Sequence, residues 1–116
     1  MPGGGNSNFM AGVPELLILR LLAGREMYGY EIVQAIRAAS AEAIVLGEGV
    51  VYPELHALER EGALKSRRKT VAGRNRVYYA LTPKGERRLE NLKTNWTELG
   101  AAIRTVLEGD RHAPAL

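Results

Sequence analysis

With 116 residues, 46% hydrophobic and 25% charged side chains, the sequence has the size and balance of one globular domain with its own core, which excludes a disordered chain. The absence of cysteine excludes disulfides, thiolate metal sites and cysteine nucleophiles, and it fits a reducing compartment. The formal charge of +3 is unevenly placed: residues 65–76 hold six basic groups and no acid, while the rest holds 10 basic and 13 acidic groups, a net of −3. A basic stretch on an acidic body suits phosphate contact, because the patch attracts the backbone while the rest resists indiscriminate binding. The plain alternative is a solvated strand face.

Residues 1–12 have neither an apolar stretch nor a basic run, and read as a flexible leader or a cloning remnant rather than a signal peptide. Val13–Leu22 follows as a helix, with Pro14 in its first turn and Gly24 just past its end. Its longest apolar run, Leu16–Leu22, is broken by Arg20 and too short to span a bilayer, so a soluble cytoplasmic protein with no membrane partner is expected. A helix apolar nearly all round should be buried on more than one side, against its own domain and a second element or subunit.

Met27–Ala38 reads as the second helix, with Ile32 and Ile36 one turn apart. Gly29 in its first turn would admit a close backbone approach, by protein or nucleic acid. In the connection that follows, Ile44-Val45-Leu46 could form a short strand. Val50–Glu61 is the third helix, with Val51, Leu55 and Leu58 inward and Tyr52, Glu54, His56, Glu59 and Arg60 outward. Pro53 belongs in its first turn, which sets the start between Glu48 and Val50.

The period then changes from helical to twofold. Leu64–Val71 and Arg76–Leu81 alternate around Ala72-Gly73-Arg74-Asn75, the pattern of an antiparallel hairpin. Leu64, Val77, Tyr79 and Leu81 point inward, and the tip and outer rows are basic. Thr82-Pro83 then supplies a hydroxyl N-cap and a proline at the first helical position. The last helix runs to about Leu107, and Leu89, Leu92, Trp96, Leu99, Ile103 and Val106 recur at spacings of 3, 4, 3, 4 and 3. That is a narrow coiled-coil seam, which together with Leu16 and Leu19 of the first helix predicts a homodimer. Folding back on the core as an ordinary amphipathic helix is the alternative.

Helix, helix, helix, hairpin and long helix make a mostly α fold: a winged helix-turn-helix over 13–82, a dimerisation helix over 83–108 and a disordered tail over 109–116. In such a fold the third helix enters the major groove and the hairpin acts as a wing. Tyr52 and His56, one turn apart with Pro53 beside Tyr52, are candidates for phosphate or base edges. Packing of the Tyr52 ring on the second helix is the alternative. Tyr28 and Tyr30 are further backbone contacts or structural aromatics. Arg74 and Arg76 at the tip are the leading phosphate or minor-groove ligands, and Lys65, Arg67 and Lys69 on one side of the first strand add unspecific attraction. Arg68 has the opposite parity. Two isolated histidines and no phosphate-binding glycine loop give no basis for an enzyme, a metal or a cofactor.

The sequence resembles the short form of the PadR family of bacterial transcriptional regulators over Val13–Leu107. The likeness rests on Leu16-Leu17-Ile18-Leu19, on Tyr28-Gly29-Tyr30-Glu31-Ile32, on the run from Gly49 to Gly62 through Val50-Val51-Tyr52-Pro53-Glu54-Leu55, and on Gly73-Arg74-Asn75-Arg76-Val77-Tyr78-Tyr79 leading to Thr82-Pro83-Lys84-Gly85. It implies a dimer through the first and last helices, an inverted-repeat DNA operator, repression, and relief by a small aromatic or drug-like effector. A tryptophan in the last helix can line the effector site of such proteins, which points to Trp96, with Leu16, Leu99 and Ile103 as walls and Glu15 and Asn95 as polar anchors. Val50 stands where the family commonly has threonine, and so removes a hydroxyl from the start of the third helix. A dimeric interaction module without operator binding is the competing reading. An RNA-binding winged helix lacks the expected exposed aromatic pairs.

Overall fold

The computed structural model describes residues 11–109, so residues 1–10 and 110–116, most of the expected leader and tail, lie outside it. Helix α1 spans Val13–Leu22, strand β1 Met27–Tyr28, helix α2 Gly29–Ala39 and helix α3 Glu48–Arg60. Strands β2 (Leu64–Val71) and β3 (Arg74–Leu81) form the hairpin, and helix α4 runs over Pro83–Gly109. The sheet has the order β1-β3-β2 and is antiparallel throughout.

The core is apolar, with no polar or charged residue buried among the described residues. Ile18, Leu19, Ile32, Ile36, Val51, Leu55 and Leu58 are almost fully buried where α1, α2 and α3 meet, each stabilising the fold by about 2 kcal/mol through withdrawal from water. Met27, Leu64 and Tyr79 close this core from the sheet, with Val77 and Leu81 partly buried beside them. Of the two covers expected for the rest of helix α1, a second element or a second subunit, elements of the same chain supply part: Leu16, Leu17 and Leu21 pack against its core. Leu19 is fully buried, which corrects its assignment to a dimer surface: its side of α1 is the domain's own interior.

Three local expectations change. Met27 and Tyr28 are not helical; they pair with Tyr79 and Tyr78 of β3, and α2 begins only at Gly29. The Glu31 carboxylate turns back to accept the Tyr28 N–H at 3.3 Å, fixing that start. Residues 44–46 make no strand: Leu46 is buried, Val45 is exposed, and the Ile44 N–H donates to Ser40 Oγ at 3.0 Å, which satisfies the loop locally. Pro53 lies inside α3 rather than in its first turn, because the helix already starts at Glu48. The carbonyl that loses its donor belongs to Gly49, on the exposed start of the helix where water reaches it.

The hairpin turns on Ala72 and Gly73 alone, at φ of 53° and 77°, so Arg74 and Asn75 are strand residues rather than loop. Arg74 pairs with Val71 and Arg76 with Lys69. At the far end Thr82 Oγ1 donates to the Gly62 carbonyl at 2.6 Å and accepts the Gly85 N–H at 3.1 Å, the expected cap of α4. Gly85 lets α4 begin directly on the chain after α3, since a Cβ there would stand 2.1 Å from the Ala63 carbonyl oxygen.

Helix α4 extends for 27 residues, or about 40 Å. Its start packs on the domain: Leu89 is buried, and Leu92 and Trp96 are half covered. Leu89 is thereby a core residue, which corrects its place in the seam. Farther along, Leu99 and Ile103 are 50% exposed and Val106 is 74% exposed. Arg88 ties α4 to the rest by pairing with Glu15 of α1 and, at 2.6 Å, with Glu61 beyond α3.

Candidate nucleic-acid interface

A groove opens between the outer side of α3 and the β3 strand of the hairpin, lined by Tyr28, Tyr52, His56 and Arg76 over a floor that includes Gly29 and Tyr79. Tyr52 and His56 come from successive turns of α3, their ring centroids 6.5 Å apart. Tyr52 packs its ring against the start of α2: a Cβ on Gly29 would stand 2.4 Å from it. Gly29 therefore makes room for a side chain, not for another backbone. Burial raises the Tyr52 hydroxyl above its usual pKa, Glu48 adds to this, and the Tyr30 backbone amide works in the opposite direction. Tyr52 thus sits half-buried at the rim, with packing on α2 as its first role. His56 and Pro53 are exposed.

The guanidinium of Arg76 stacks over the Tyr28 ring, 4.2 Å from its centroid, and is held at the groove without an acidic partner among the described residues. Arg74 and Lys65 are exposed at opposite ends of the hairpin. Tyr30 does not join the groove. It stands on α2, 48% exposed, with its hydroxyl accepting from Gln34 Nε2 at 2.8 Å, beside a separate hollow against the α2–α3 loop.

Arg67 and Lys69 depart from the expectation of free cations, since both are paired with Glu26. Hydrogen bonds from Arg67 and then Lys69 lower the Glu26 carboxyl to a pKa of about 2. Glu26 was not legible as a site residue, because 41 positions separate it from Arg67 and no local spacing links them. A second contact missed by sequence reasoning is the 2.6 Å hydrogen bond from Ser66 Oγ to Glu59, which joins β2 to the end of α3.

Of the expected effector residues, Trp96 is half-buried near Gly12, Leu99 and Asn95 are exposed, and Glu15 is occupied by Arg88. The ion pair between α1 and α4 removes Glu15 as a free anchor. No group of three His, Cys, Asp or Glu among the described residues is arranged to hold a metal ion. No helix among them is long and apolar enough to cross a membrane.

Residues 18–91 match the Transcriptional regulator PadR-like family. The chain belongs to that family. The match runs from α1 through the hairpin into α4 and so spans Tyr28, Tyr52, His56 and Arg76 of the groove. A transcriptional regulator of Mycobacterium tuberculosis is 34% identical over 104 residues, 90% of this chain and 92% of the relative. Among solved structures, a transcriptional regulator from Clostridium thermocellum is 30% identical with a TM-score of 0.79, covering 85% of this chain and 97% of that one. A PadR-like regulator from Bacillus cereus is 29% identical with a TM-score of 0.76, covering 88% and 98%. These relatives are matched over nearly their whole length, so the chain is a short-form PadR protein: a winged helix-turn-helix followed by one long helix. PadR regulators are non-catalytic DNA-binding proteins, and the chain is a DNA-binding transcriptional regulator on that ground.

Proposed function

We propose that this protein is a homodimeric repressor that binds an inverted-repeat operator and releases it when a small aromatic or drug-like ligand enters between the subunits. The observation that carries the reading is the shared groove. Recognition-helix residues Tyr52 and His56 and the hairpin's Arg76 face one opening, with Arg74 exposed beyond it. In that geometry α3 meets base edges while the arginines hold flanking phosphates or the minor groove. Dimerisation is supported by the exposed stripe of Leu99, Ile103 and Val106, which leaves the domain on α4 and finds no cover among the described residues. A twofold axis through α4 would duplicate the groove, and a duplicated groove requires a repeated half-site.

The ligand half of the proposal rests on Trp96 with Leu99 and Asn95. They lie together on α4 where its packing on the domain gives way to the exposed stripe, and an indole there offers a flat aromatic compound a stacking face. Val50 favours the interaction module as a second reading, because its exposed isopropyl group offers no hydrogen bond at the start of α3.

Selection of genomic fragments by the purified protein tests the proposal. A short inverted repeat should be recovered, and replacing Arg74 and Arg76 by alanine should abolish it. A well-formed dimer that recovers no preferred sequence would favour the interaction module instead. Trp96 fluorescence should change with any aromatic compound that releases the DNA; an unchanged signal would remove the ligand site.

A further inference from the structure

The outer face of the sheet carries an arrangement that the groove does not use. Glu26 stands just before β1, and β3 separates β1 from β2. Its carboxylate nevertheless reaches the cations of β2. Arg67 donates from Nε to one oxygen at 3.2 Å and from Nη2 to the other at 2.9 Å, while Lys69 Nζ donates to the second oxygen at 2.5 Å. The two side chains reach Glu26 across Tyr78, and the Lys69 ammonium lies 4.3 Å from that ring's centroid. A two-pronged guanidinium contact reinforced by an ammonium is how a phosphate is held.

This cluster borders the DNA-facing surface. Lys69 pairs in register with Arg76, which lines the groove, and the Arg67 side chain is 64% exposed. A duplex phosphate could therefore take either cation, but only by displacing Glu26. An exposed ion pair adds little to fold stability, whereas each cation kept from DNA removes one counterion-releasing contact. Such contacts supply nearly all sequence-independent affinity and only part of specific affinity.

We infer that Glu26 is a built-in phosphate surrogate: it withholds Arg67 and Lys69 from DNA and so keeps binding to unmatched sequence weak. The inference rests on the DNA-binding reading above. Because Arg67 and Lys69 keep the carboxyl ionised down to a pKa of about 2, the mask is constant over the pH range of DNA binding and is not a pH switch. Arg74 and Arg76 are left for the operator.

The test is binding of the full-length protein and its Glu26→Gln variant to a labelled random-sequence duplex over a salt series. The variant should bind about tenfold tighter per released cation at about 0.1 M salt, with a salt slope steeper by about 0.9 for each. Adding Arg67→Ala and Lys69→Ala to it should remove both gains. Replacing Arg67 alone by alanine in the parent should cost little, since that guanidinium is already engaged and Lys69 still neutralises Glu26; this arm stands even if Glu26→Gln disturbs the fold. A Glu26→Gln protein that melts like the parent and binds random duplex no more tightly would overturn the inference and leave Glu26 a structural strap. A large loss from the single Arg67→Ala substitution in the parent would do the same. If neither parent nor variant bound any duplex, the DNA-binding reading would fall together with the mask.

Discussion

Gly29 and Tyr52 show how closely the groove depends on single atoms. The ring of Tyr52 occupies the space of a Cβ on Gly29, so Gly29→Ala must push the ring or α2 aside. Overpacking of this kind costs about 1–3 kcal/mol. The loss should appear as a lower urea midpoint, and in a Tyr52→Ala background the same substitution should cost much less. Equal costs in both backgrounds would show that the clash is relieved elsewhere. The sequence marked Gly29 as a place of close approach but not what approaches, because the ring arrives from a helix 23 residues later in the chain. Glu26 was hidden for the same reason. Tyr52, His56 and Arg76 were legible as outward residues from helical phase and parity, whereas Tyr28 and Tyr30 stood together as backbone contacts or structural aromatics, and only the fold puts Tyr28 in the groove and Tyr30 apart from it.

At the scale of elements, the signals that held were those with a local cause. Thr82 and Pro83 started α4, alternation marked the hairpin, and Pro14 stood in the first turn of α1. Strand β1 escaped because two residues are too few to show alternation, and its pairing is decided by Tyr78 and Tyr79 far along the chain. The all-round apolar α1 calls for cover on more than one side, by a second element or a subunit, and elements of its own chain supply much of it. Glu26 connects two of these elements across a third, and its depressed pKa gives the connection a pH signature. The pairs are solvent-accessible and add only a small stability; with the carboxyl lowered from 4.5 to about 2, that increment is fully present above pH 4.5 and is lost as pH falls through about 2. Urea midpoints of the parent and of Glu26→Gln should therefore differ most above pH 4.5 and converge toward pH 2. A constant difference across that window would mean that the ion pairs are not formed in solution.

For the whole molecule, the long α4 is the feature that a single domain does not explain. The described residues extend 67 Å along one axis and only 33 and 26 Å along the others. Leu99, Ile103 and Val106 lie on the helix beyond its packed start, where a second α4 would cover them. Replacing Leu99 and Ile103 by glutamate should give a folded monomer in sedimentation, with unchanged near-ultraviolet signal from the domain and operator affinity reduced by orders of magnitude because one half-site remains. A dimer that survived both charges would place the interface elsewhere.

The central claim, that the α3–hairpin surface binds DNA through a small set of hairpin arginines, is tested most directly by the salt dependence of operator affinity. With about six phosphates neutralised per dimer, log affinity should fall against log salt with a slope of about −5, and the Arg74→Ala, Arg76→Ala protein should show a slope about 3 to 4 shallower. A slope near zero in the parent, or one unaffected by removing both arginines, would contradict the account.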